Sequence, residues 1–113
     1  LANSFVNKKV DLTTTNATTV YTVPTATTAV IKSILISEDS GNADTVTITI
    51  TDTASAVFSV FKTKAVGANA TIELLTEPFV LQESEILKVT AATANRLHVI
   101  LSSLEIKPRE VTT

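Results

Sequence analysis

The chain has 113 residues, 44% of them hydrophobic, with no cysteine and a formal net charge of −2. That length suits one domain with a single core, and the lack of cysteine excludes disulfides, a thiolate nucleophile and a Cys-ligated metal. The nine basic residues are scattered, unlike the basic stripe of a nucleic-acid binder, and no apolar run is long enough to span a bilayer.

Threonine is heavily used, with valine, isoleucine and alanine behind it. β-Branched side chains lose rotamer freedom in helices and pack well on a pleated surface, so this composition favours strands. Residues 1–9, LANSFVNKK, carry Phe5 and Val6 without clear alternation and read as an N-terminal arm, free or docked on a neighbour. Strands are expected at 10–13 and 19–23, the second ended by Pro24, which cannot donate to a ladder. A third spans 29–38, where Ile31 and Leu35 have the opposite phase to Val30, Ile34 and Ile36. The turn SGNAD closes it.

The next segment, DTVTITITD at 44–52, alternates without a break. Val46, Ile48 and Ile50 form its buried side, and Thr45, Thr47, Thr49 and Thr51 form an uncharged row of hydroxyls. Strands at 56–64, 71–75, 79–82, 86–92 and 96–106 follow, separated by turn residues such as Gly67 and Asn69. Ile72, Leu74, Phe79, Leu81, Leu87, Val89, Leu97, Val99 and Leu101 read as inward. Leu104 and Ile106 have the phase opposite to Leu97–Leu101, so a β-bulge is expected at Ser102-Ser103 to turn them inward as well. The pattern defines an all-β fold: a single-domain antiparallel β-sandwich of eight or nine strands, with the jelly roll as one variant. The expected divisions are an arm at 1–9, a sandwich at 10–106 and a C-terminal tail at 107–113.

Residues able to carry chemistry are few. His98 is the sole histidine, leaving no second histidine or cysteine for a base-plus-orienter pair. The acids Glu38, Asp39 and Asp44 surround a turn but lack the spaced oxygen ligands of a calcium loop, and read as solvated carboxylates. No phosphate-cradling loop or nucleophile elbow is present. No enzyme activity, metal or cofactor is therefore expected. The sequons at Asn16 and Asn69 coincide with turns, where asparagine is favoured for its own backbone bonds. The threonine row invites comparison with ice-binding arrays, but twisted sandwich strands rarely give the flat parallel rows that ice requires. A neutral hydroxyl face suits association better, since it avoids desolvating charge and can hydrogen-bond across a contact.

The run VDLTTTNATTVYTVPTATTAVIKSILISEDSGNADTVTITITD at 10–52 resembles a group of small tailed-bacteriophage virion proteins. Those open with DLTT and LYTVP elements and continue into an alternating TVTV stretch. The run TIELLTEPFVLQESEILKVTAATANRLHVILSSLEI at 71–106 is similar to that group's second half. Ser84-Glu85 departs from the group's usual Gly-Asp turn. The resemblance implies a β-sandwich building block of the particle, with capsid decoration (a cement protein clamping capsomers) as the leading expectation and a tail or fibre-attachment component as the runner-up. A glycan-binding module using Tyr21 is a third reading. The implied partners are copies of the chain itself, as a homotrimer, and the phage major capsid protein, with neither nucleic acid nor membrane. The implied location is the capsid exterior, after assembly in the host cytoplasm. Expected interface residues are Phe5 and Val6 as apolar anchors, Lys8 and Lys9 against an acidic shell, and the row Thr45, Thr47, Thr49 and Thr51.

Overall fold

A computed structural model describes residues 2–107. Among them the chain is all-β: nine strands in two antiparallel sheets, with no helix. The strands are β1 (Ala2–Asp11), β2 (Thr18–Thr22), β3 (Thr28–Glu38), β4 (Asp44–Thr51), β5 (Val57–Val66), β6 (Thr71–Glu73), β7 (Phe79–Leu81), β8 (Ile86–Ala91) and β9 (Leu97–Lys107). One sheet, A, has the order β1-β9-β3-β6, with β7 also paired to β3; the other, B, has the order β2-β8-β4-β5.

The pairing is nested. First pairs with last, second with second-to-last, β3 with β6 and β7, and β4 with β5. Wrapping this long double ribbon adds the β3–β9 and β4–β8 ladders. The result is the jelly-roll form of the sandwich, with β6 and β7 together serving as one interrupted strand along β3. Between the sheets lies a core that includes Leu12, Tyr21, Ile31, Ile34, Ile36, Val46, Ile48, Leu87, Val89, Leu97, Val99 and Leu101, all buried.

Several local expectations are corrected. Residues 2–9 of the expected arm run as β1, paired with β9 from Ala2↔Lys107 to Asp11↔His98. Their weak alternation reflects an edge strand, covered little on either side. Leu1 and 108–113, most of the expected tail, lie outside the described residues.

The expected bulge at Ser102-Ser103 sits instead on the partner strand. Ile31 pairs with Ser103 and Ser33 with Ser102, leaving Lys32 as the extra residue. That insertion resolves the mixed phase of β3: Ala29 and Ile31 point inward before it, Ile34, Ile36 and Glu38 after it. β9 keeps one unbroken alternation, so Ser103 and Glu105 are buried while Leu104 and Ile106 face outward.

Candidate interaction surfaces

Antiparallel partners in register share a face, so the ladders define what each sheet presents to its surroundings. On sheet B the outward set contains Thr45, Thr47, Thr49 and Thr51 of β4, flanked by Thr90, Lys88 and Ile86 of β8. Beyond β8 lie Thr19 and Thr22 of β2; beyond β4 lie Ser59 and Val57 of β5. In this hydroxyl field the β4 threonines are half-buried, with the Thr51 hydroxyl out of solvent contact, whereas Thr19, Thr22, Ser59 and Val57 around them are exposed. Lys88 is the charge in the paired rows.

The field is also partly self-engaged. β5 carries extra residues opposite Val46–Thr49, and Thr63 there takes a left-handed φ of 48°. Its N–H donates to the Thr47 hydroxyl at 3.0 Å. A β-branched residue in that region is a genuine outlier, held here by a neighbour's side chain.

Sheet A presents a different surface. Phe5, Leu104, Val30 and Val80 share one cross-strand row over β1, β9, β3 and β7. Phe5 is 79% exposed and Val80 52%. Asn7, Ser102 and Ser33 make the next row, and Lys9, Ile100, Leu35 and Glu73 the one after it. Glu73 spans the gap between β6 and β7: its carboxylate accepts from the Ser33 hydroxyl and from the Ile34 N–H at 2.8 Å.

The expected interface residues therefore divide. Phe5 and Lys9 lie on the outer face of sheet A, whereas the threonine row lies on the opposite side of the molecule. Val6 and Lys8 share their rows with Ser103 and Leu101, on the inner side of β1. The structure does not unite the eight residues in one contact. Sequence reading missed Leu104, Val30 and Val80, because only the register brings these residues into line with Phe5.

His98 stands at the end of sheet A, its Nε2 3.3 Å from Asp11 and its Nδ1 3.5 Å from Asp39. The carboxylates bracket the ring from both nitrogens. They do not converge on a common point, as ligands of one cation would.

Glu38 and Asp44, expected in solvent, are buried. The Glu38 carboxylate accepts from Ser40 N at 2.9 Å, Gly41 N at 3.1 Å, Asn69 N at 3.0 Å and the Ser40 hydroxyl. Burial alone would raise its pKa, but these bonds outweigh it and hold the value down to about 2. Asp44 accepts from Thr93 N at 3.1 Å.

Tyr21 is likewise buried at 1% exposure, so it offers no platform to a sugar ring. Its hydroxyl donates to Glu105 at 2.6 Å. Burial first, and the carboxylate second, push its pKa up to about 12.

The architecture is that of a small all-β jelly-roll sandwich with two broad, differently surfaced faces. Its fold is similar to that of a protein from Bacillus endospore appendages, described as a novel family of disulfide-linked pili. The TM-score is 0.52 at 15% identity, over 96% of this chain and 92% of that one. At that identity the likeness concerns the fold, and the chain here has no cysteine with which to form disulfide links. No family model and no curated protein matches the sequence.

Proposed function

We propose that this chain is a non-enzymatic structural subunit which assembles with copies of itself and decorates the exterior of a tailed-phage head. The observation carrying the reading is the outer face of sheet B, a broad field of threonine hydroxyls with little charge to desolvate on contact. The resemblance over 10–52 and 71–106 supplies the virion setting, the major capsid protein as partner, and the trimer on three-fold positions of the shell. The fold shared with a pilus protein supports self-assembly. In this reading His98 serves as a bridge between strand ends, and the chain acts without turnover or cofactor.

A tail or fibre-attachment component is the second reading, favoured by the likeness to a pilus protein. Gold-labelled antibody on intact particles separates the two. Label over the head surface supports decoration, label along the tail selects the second reading, and particles that stay unlabelled overturn both. Undecorated heads mixed with purified chain should also take it up to saturation.

A further inference from the structure

We propose that the outer face of sheet A is a self-complementary docking surface for a second copy of this chain, related by a two-fold axis parallel to the strands. The contact goes beyond the virion reading and does not depend on it.

The argument begins with the rows. A two-fold axis along the strand direction, lying between two facing sheets, keeps each row opposite itself and exchanges its ends. The row Phe5–Leu104–Val30–Val80 then sets Phe5 against Val80 of the second copy and Leu104 against Val30. The row Lys9–Ile100–Leu35–Glu73 sets Lys9 against Glu73 and Ile100 against Leu35. Cation meets carboxylate at both edges, and apolar side chains meet between them. Lys32, extruded by the bulge on β3, faces the serine row of the second copy at Ser102. The Lys9–Ile100–Leu35–Glu73 row is therefore complementary in charge to its own rotated copy, a property that an arbitrary apolar patch does not have.

Size agrees with this occupant. Four strands about 4.8 Å apart, over about 30 Å of length, give a face of about 600 Å². A standard interface buries about 800 Å² per partner, so the face with its rim approaches what a stable pair requires. Phe5 supplies the large exposed aromatic typical of an interface anchor, and its location on an edge strand leaves its side chain open to a partner. The threonine face on the far side stays free, so a two-fold pair can still meet a shell. Applied to trimers, the same contact would join two of them.

Sedimentation equilibrium across the micromolar range tests the pairing. The wild-type chain is expected to associate, and Phe5→Asp to halve the assembled mass by weakening the contact about 100-fold. Both Phe5 and Val80 are exposed, so Phe5→Asp and Val80→Asp should keep the wild-type circular dichroism. Thr49→Glu, opposite Lys88 on the other face, should leave the mass unchanged. Its effect on uptake by heads tests the decoration reading separately.

The register is tested in a chain free of other cysteines. Phe5→Cys mixed with Val80→Cys should link through a thiol reagent of about 10 Å reach, the spacing of packed sheets. Neither variant should link efficiently to itself. A wild-type chain that stays monomeric at every concentration overturns the proposal, as does association untouched by Phe5→Asp. Linking of Phe5→Cys to itself in preference to the mixed pair overturns the two-fold register.

Discussion

At the end of the sandwich where β3 runs into β4, the left-handed corner positions are Gly41, Asn69 and Asn95. At the opposite end they are Ala26, Ser55 and Ser84. Each end also buries a glutamate. Glu38 accepts three backbone N–H groups and a hydroxyl and thereby ties the 39–43 and 67–70 turns together. Glu105 accepts the Tyr21 hydroxyl, with the Lys107 ammonium 4.0 Å away. Glycine and asparagine tolerate the left-handed region better than alanine or serine do. The first end is therefore relaxed and cross-tied, while the second carries backbone strain and rests on fewer polar ties. Polar ties and backbone strain are thus unevenly distributed between the two ends of the sandwich.

Removing the central tie should have the largest effect. Glu38→Ala strands several buried N–H donors and is expected to lower the thermal midpoint on the order of 10 °C, measured by calorimetry. Tyr21→Phe leaves the Glu105 carboxylate without its buried donor and should cost about 1–3 kcal/mol in chemical denaturation.

Titration should then tell the ends apart. The folded pKa of Glu38, about 2, lies below its ordinary 4.5, so its contribution is complete above pH 4.5 and is lost as pH falls from there towards 2. Tyr21 has the opposite sign: raised from 10.0 to about 12, it contributes fully below pH 10 and loses that contribution as pH rises towards 12. Tyr21→Phe should flatten the alkaline limb, where the wild-type chain loses the Tyr21 contribution. The smallest expected effect is a gain. Ser84→Gly at φ 66° should stabilise the chain by about 0.5–1 kcal/mol, whereas Gly41→Ala at the relaxed end should destabilise it.

Ser84 also shows what could be read in the sequence. Ser84-Glu85 stands where the group that the sequence resembles carries Gly-Asp, and the left-handed φ of 66° at Ser84 is a conformation that glycine adopts more easily than serine. Period-two alternation located strands accurately where inward residues are apolar, as in 97–101 and 46–50. It failed at 103–106, because it assumes that an inward residue is hydrophobic, and Glu105 is inward through its bond to Tyr21. For the same reason Glu38 and Asp44 looked solvated. Composition cannot show that backbone N–H groups will surround a carboxylate. The apolar row on sheet A joins residues 5, 30, 80 and 104 and exists only once the register is known. The bulge at Lys32 left its trace in the broken phase of β3, but the outward Leu104 and Ile106 drew the expected bulge to β9 instead.

Nested pairing has a kinetic consequence. The β4–β5 turn brings near neighbours together, while each outer pair must close a longer loop, up to the β1–β9 ribbon, which spans nearly the whole chain. Chain entropy opposes such closures before the contacts can reward them. Folding should therefore be slow for a domain of this size, in the millisecond-to-second range, with amides of β1 among the last to gain protection from hydrogen exchange and those of β4 among the first.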